Sequence, residues 1–496
     1  MSKPVTAAVA RPAASRSSDI VDWGAGELAA GIRARKVSCV EVMEAYLAQI
    51  ERLNPAYNAI VSIRNRPDLL RDAAERDAQL ARGEAVGPLH GLPHAVKDLA
   101  PLKGVRFTSG GSPLFRDRIA AEDNLPTARL RATGVVFLGK TNAPEFGLGS
   151  HTVNRVFGAT PNAYDPARSA GGSSGGAAVA LALRMLPLAD GSDYGGSLRN
   201  PAGWNNVYGF RTSYGRVPDV KPEAWLPSMG TPGPMARSVA DLALLLSVQA
   251  GFDRRTPLAM EGDGSDFADP PTAPMKGRRI GWLGNFDGAV AYEPEVMEVC
   301  RQALKRFEAL GCIVEEARAD FDAEQAWRAF IQLRAWQQHL QFLPLAQDPA
   351  QRALLNPQAI YETDLAQTLT AADITAASVV RTEWSRSVDR LFDRFDYLVS
   401  PTAQIFPFDI RQAWPTEVAG TPMRTYHEWM KGVCLITMAG TPALAAPAGF
   451  GAAGLPIGLQ IIAPVHRDMA CLQLAAAYEA VEPLAHLHPP RIARGA

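Results

Sequence analysis

Gly171-Gly172-Ser173-Ser174-Gly175-Gly176 is followed by a helix-patterned run from Ala177 to Leu186, a strand-patterned run from Leu186 to Ala189, and a second glycine-serine turn, Gly195-Gly196-Ser197. A helix and a strand set between glycine-rich turns belong to an α/β architecture, in which each crossover returns the chain to a sheet. A serine flanked by glycines also keeps its hydroxyl unshielded, and the amides around it are free to turn toward a developing negative charge. Serine needs a base, and no histidine lies near either cluster. The nearest upstream candidate in an unusual setting is Lys97.

The alternation continues outward. Ser38 and Glu41 form a capping box ahead of Val40, Met43, Leu47 and Ile50, a helical pattern stopped by Asn54-Pro55, and a second helix starts after Pro67 and ends near Gly83. Strands are predicted at 94–97 and 135–138 with a helix over 126–133 between them, then a capped helix from Ser238 to Leu245. Residues 253–274, rich in Pro, Gly and Asp, read as a surface connection. Beyond it come a strand at 279–283, a helix at 294–310, a strand at 312–315, a largely helical insertion over 324–395, a strand at 397–399, a strand pair at 443–446 and 457–462, and a closing helix at 469–481. This order predicts a mostly parallel sheet covered on both faces.

The chain has 496 residues, 47% hydrophobic and 20% charged, enough to bury a large core. A formal net charge of -1 supplies no electrostatic reason for nucleic acid or an acidic membrane as partner. Cys39, Cys300, Cys312, Cys434 and Cys471 are odd in number and lack metal-ligand spacing, so they read as reduced thiols in a cytoplasmic protein. Residues 1–20 lack a continuous apolar core for a secretory signal and read as a disordered tail before one domain over 21–490. No apolar run reaches the roughly 20 residues that span a bilayer.

Two motifs mislead. Gly134 to Thr141 satisfies GxxxxGK[ST], but four large apolar residues stand where a phosphate-cradling loop is required, so the segment reads as a buried strand. Gly171 to Gly175 fits GxSxG, yet a nucleophile elbow follows a buried strand directly, and the turn-like residues 164–170 precede this one. His339, His427 and His466 have no distinctive local setting that would complete a histidine triad.

Gly91-Leu92-Pro93-His94-Ala95-Val96-Lys97-Asp98, the first glycine-serine cluster, Asp193-Tyr194-Gly195-Gly196-Ser197-Leu198-Arg199 and Gly454-Leu455-Pro456-Ile457-Gly458-Leu459-Gln460 together resemble the amidase signature family of serine hydrolases, from about Leu28 to about Ala480. The resemblance implies a single α/β/α sandwich with a mixed central sheet and a Ser-cisSer-Lys triad that cleaves carbon-nitrogen bonds without metal or cofactor. By position, Lys97 is the base, Ser173 the bridging serine and Ser197 the nucleophile. The backbone amides of Tyr194, Gly195, Gly196 and Ser197 form the oxyanion hole, with Ser174, Asp193 and Arg199 in support.

The chemistry is coherent. Burial lowers a lysine pKa, so Lys97 becomes a neutral amine able to take a proton through Ser173 from Ser197. Lys97 paired with Asp98, Ser173 as a helix cap and the glycines as a plain turn are the alternatives. Ser150 and Trp204 are candidate pocket residues, and Tyr208, Trp225 and Trp429 are further aromatics for an apolar lining. Tyr194 is bulkier than the small or aliphatic residue usual in the family, and 200–206 is bulkier and more polar than its usual continuation. Both weigh against membership of a tRNA-dependent amidotransferase complex, which stands as the alternative reading beside a non-catalytic binding protein on the same fold. The expected substrate is a small hydrophobic or aryl amide, with anilides, carbamates or esters open to the same chemistry, and the chain is expected as a monomer or homodimer.

Overall fold

The computed structural model describes residues 20–226, 228–270 and 272–491. Residues 1–19, where the tail was expected, lie outside the described residues, and Ile20 already belongs to the 3-10 turn Ile20–Asp22. The Ser38–Glu41 capping box opens α1, Cys39–Tyr57, which carries Pro55 inside its last turn and ends on Asn58 in the left-handed region. A short strand β1, Ile60–Val61, follows, then α2, Arg66–Ala81, capped by Asn65 with Pro67 in its first turn. Next come β2, Pro93–Lys97, α3, Leu125–Ala132, and β3, Val136–Thr141. β3 is buried at every position, and its Lys140 Nζ donates to the Ala100 carbonyl, so this false phosphate-loop motif is a core strand.

α4, Gly175–Ala182, is shorter than the expected 177–186, because Arg184 adopts φ 58° and turns the chain. All its residues are small or apolar and buried, and a Cβ at Gly176 would collide with the Asn142 amide and the Ala59 carbonyl, so the helix lies directly on neighbouring backbone. β4, Ala189–Asp193, begins where the strand was expected to end. α5, Arg199–Trp204, β5, Tyr208–Arg211, β6, Thr231–Ala236, and α6, Val239–Gln249, follow. Among the described residues of 253–274 the only helix or strand is the 3-10 turn Ser265–Phe267.

The second half runs β7, Arg279–Trp282, α7, Pro294–Ala309, and β8, Ile313–Glu316. The helical region is α8, Ala323–Gln347, α9, Pro357–Thr368, and α10, Ala371–Leu391, with the single-turn helix Pro349–Arg352 between the first two. β9, Tyr397–Pro401, α11, Lys431–Ala439, β10, Ala443–Phe450, β11, Pro456–Ile462, and α12, Asp468–Val481, complete the frame.

An eight-stranded sheet of order β8-β7-β9-β11-β10-β5-β6-β4 forms the centre. Only β8·β7 and β7·β9 are parallel pairs; β9·β11, β11·β10, β10·β5, β5·β6 and β6·β4 are antiparallel. The mostly parallel sheet expected from the alternation is therefore corrected, and the mixed central sheet that the family resemblance implied is the one found. The parallel pairs are confined to β8, β7 and β9, whereas β5·β6 and β10·β11 are consecutive strands with no helix between them and so pair antiparallel. Lys97 is not on this sheet: β1, β3 and β2 form a separate three-stranded sheet. No described helix is long and apolar enough to cross a membrane, and all five cysteines are free and buried.

Candidate active site

Three elements from different parts of the chain converge. β2 ends at Lys97, the turn entering α4 carries Ser173 and Ser174, and the turn between β4 and α5 carries Ser197. Lys97 Nζ lies 2.8 Å from Ser173 Oγ and 2.8 Å from Ser174 Oγ, with Ser192 Oγ at 3.2 Å and the Ser192 carbonyl at 3.3 Å. The Gly172–Ser173 peptide is cis. The two serine turns meet where the Ser174 amide donates to the Ser197 carbonyl at 3.1 Å. Ser174 precedes α4 but makes no side-chain cap, since its hydroxyl is on the lysine. The cap alternative is thus set aside for both serines.

Lys97 is 1% exposed. Burial strips water from the ammonium and brings its pKa from 10.5 down to about 7, against the opposing pull of Asp190 and then Asp193. Asp98, the alternative partner, instead accepts from Thr108 and the Gly110 amide. Asp190 receives the Lys97 backbone amide at 3.3 Å and faces His94 Nε2 at 3.1 Å. Strand alternation puts Asp190 and Ser192 on one face of β4, toward Lys97, and Asp193 on the other. Both residues were missed because the strand was placed too early, and Ala-Asp-Gly-Ser-Asp has no apolar alternation to extend it.

Asp193 and Arg199 hold the nucleophile turn. Asp193 accepts from Arg199 Nε at 3.0 Å and Nη2 at 2.9 Å, and from the Leu198 amide at 3.0 Å. Arg199 continues to the Val433 carbonyl, Gln460 and Thr437. Burial alone would raise the Asp193 pKa; Arg199, then Arg211 and the Leu198 amide, reverse this and hold it well below the carboxylate range. One expectation is corrected: the Gly196 amide donates to Asp193 Oδ1 at 3.0 Å, so the carboxylate has taken a donor assigned to the oxyanion hole.

A cavity of about 280 Å³ opens on Lys97, Ser173, Ser192, Tyr194 and Ser197. Its apolar lining includes Leu99, Pro126, Phe146 and Leu148, and its polar lining Arg334, Gln338 and Gln341. Ser150 and Trp204 are corrected out of it. Ser150 is buried, and its Oγ donates to the Gly172 carbonyl at 2.6 Å. Trp204 is fully buried, stacks on Trp429 at 5.3 Å and donates to the Ile405 carbonyl. Tyr208 and Trp429 are likewise core, whereas Trp225 is exposed.

Arg334, Glu362 and Tyr426, which sequence reasoning also missed, and His427, which it set aside for want of a distinctive local setting, form a buried polar cluster behind Tyr194. Their positions lie on α8, on α9 and in the loop before α11, so no local spacing announces them.

The amidase family model matches residues 41–472. The chain is 36% identical to an acylamidase of Rhodococcus erythropolis, covering 94% of this chain and 96% of the relative. It is 34% identical to a glutamyl-tRNA(Gln) amidotransferase component of Thermus thermophilus, over 94% of this chain and 98% of the relative. The crystal structure of a bacterial aryl acylamidase of the amidase signature enzymes superposes with a TM-score of 0.88 at 30% identity, covering 95% of this chain and 99% of that one.

Proposed function

The chain belongs to the amidase signature family, hydrolases of carbon-nitrogen bonds, and from that premise we propose that it cleaves amides through an acyl-enzyme on Ser197. The observation that carries this reading is Lys97 Nζ at 2.8 Å from Ser173 Oγ beside a cavity that Ser197 shares. With a pKa near 7, Lys97 is substantially neutral at neutral pH and has a lone pair for the Ser173 proton. Ser173 takes the proton of Ser197 as Ser197 Oγ bonds to the amide carbon.

The amides of Tyr194, Gly195 and Ser197 are the donors we assign to the resulting oxyanion, Gly196 being held by Asp193. Collapse breaks the carbon-nitrogen bond, and the leaving nitrogen receives the proton back from Lys97 through Ser173. Water then attacks the ester and passes its proton along the same path to Lys97; the ester carbon-oxygen bond breaks, Ser197 Oγ takes that proton back through Ser173, and the carboxylic acid leaves.

The apolar lining from Leu99, Pro126, Phe146 and Leu148 favours hydrophobic or aryl amides, in keeping with the acylamidase relatives. A second reading, one component of a tRNA-dependent amidotransferase, is favoured by the 34% identity to such a protein. Acyl anilides and glutamine assayed side by side separate them. Turnover of anilides by the isolated chain, lost in Ser197→Ala with the circular dichroism unchanged, supports the first reading. Glutaminase activity that appears only with added partner chains supports the second. A fluorophosphonate adduct on a serine other than Ser197 refutes the assignment of the nucleophile. Free, buried cysteines suit the cytoplasmic location proposed with it.

A further inference from the structure

Arg334, Gln338 and Gln341 all line the cavity, and a spacing of four and then three residues puts them on one face of α8. Arg334 is the charged member, with its side chain 7% exposed. Nε donates to Glu362 Oε1 at 2.7 Å and meets His427 Nε2 at 3.1 Å, Nη2 reaches Tyr426 OH at 3.4 Å, and the guanidinium lies 4.9 Å over the Tyr194 ring. Nη1 has no partner among the described residues, on a side chain that borders the cavity. Tyr194 itself is fastened by its hydroxyl to Gln337, so the face that supports Arg334 is fixed.

A guanidinium is a donor only, so an N–H that opens on the cavity can bind nothing there but an acceptor. Glu362 balances the charge, so what the cavity receives is a directional N–H with modest net field. Proton return to the leaving nitrogen runs through Ser173 and Lys97, which places that nitrogen toward them, and Arg334 borders the same cavity beside Tyr194, whose amide is assigned to the oxyanion.

We propose that Arg334 is a specificity-determining residue that binds an oxygen acceptor, a carbonyl or carboxylate, carried on the acyl portion of the substrate. The preferred substrates are then amphipathic amides, an apolar body against Leu99, Phe146 and Leu148 with a second oxygen function several bonds from the scissile carbonyl. This rests on the acyl-enzyme reading above.

The test compares p-nitroanilides of valeric acid, glutaric acid and monomethyl glutarate, the last two separating carboxylate from neutral carbonyl. The readout is the ratio of kcat/KM for each glutaryl compound to that for the valeryl compound, within one protein preparation. Loss of folded enzyme cancels in that ratio. Wild type is expected to favour at least one glutaryl compound by about 10- to 100-fold, the range of a hydrogen bond to a charged group. In Arg334→Met with Glu362→Gln, which avoids stranding a buried carboxylate, the ratio falls to near one; in Arg334→Lys part of it survives.

A wild-type ratio at or below one, or a ratio that Arg334→Met/Glu362→Gln leaves unchanged while all three rates drop together, overturns the proposal and identifies Arg334 as a packing residue. In either case, valeryl turnover that disappears in Ser197→Ala leaves the acyl-enzyme reading intact. A wild-type protein that cleaves none of the three overturns both.

Discussion

Replacing Lys97 by methionine separates a neutral buried amine from a buried ammonium. Unfolded lysine holds its proton to about pH 10.5, whereas in the fold the Lys97 pKa is brought down to about 7. Below pH 7 both states are protonated, and the fold bears the full cost of burying the charge. Between the two values the folded protein has lost a proton that the unfolded chain still binds, so stability climbs with pH, by about 1.4 kcal/mol per unit. From pH 6 to pH 9 this amounts to about 3 kcal/mol.

Lys97→Met has no such proton, and the other titrating groups cancel in the comparison. Urea unfolding of both proteins at pH 6, 7, 8 and 9 should therefore show the stability of wild type, relative to the variant, rising by about 3 kcal/mol over that range. Wild-type kcat/KM should rise with pH through an acid limb near 7, because the neutral amine is the working form. A stability difference that stays flat from pH 6 to 9 would mean that Lys97 does not titrate in that window, and the base assignment would fall with it.

In Asp190→Asn the charge that raises the Lys97 pKa is gone, so the acid limb of kcat/KM moves to lower pH; a limb that stays or moves up contradicts the electrostatics. Asp193→Asn strands the fully buried Arg199 guanidinium and should cost about 3–5 kcal/mol in urea unfolding, and a loss under about 1 kcal/mol would show the pair to be dispensable. Trp204→Ala empties a core site stacked on Trp429, with an expected loss of about 3–5 kcal/mol. KM for an acyl anilide should hold in the remaining folded enzyme, and a large KM change would return Trp204 to the pocket. Ser197→Ala should leave the unfolding free energy within about 0.5 kcal/mol of wild type while turnover vanishes.

Local physics made much of the frame readable. The Ser38 capping box, the 3.6-residue pattern from Val40 to Ile50, the four apolar residues after Gly134 and the helical stretch beyond 324 each carry their cause within a few residues, and each was found near its expected place, although the first helix runs on through Asn54-Pro55 to Tyr57. The two elements misplaced around the site failed for different reasons: α4 ends at Ala182 although apolar residues continue to Leu186, because Arg184 turns left-handed, and β4 is Ala-Asp-Gly-Ser-Asp, with little in it that reads as a strand. Ser150 and Trp204 show the limit for pocket residues, since a side chain's polarity and size do not say which way it faces, and both face inward to backbone carbonyls.

By itself, the sequence determined an α/β chain with two glycine-serine turns and a lysine in an apolar strand, because turn chemistry and periodicity act between near neighbours. Only the tertiary structure decided that β2 lies on a second small sheet beside the main one, that Lys97 Nζ reaches Ser173 and Ser174 together, and that Asp193 takes up the Gly196 amide. It also brought Arg334 against Tyr194 from 140 positions away. Those contacts are set by how whole layers pack and which strands pair, and no short stretch of chain carries that information.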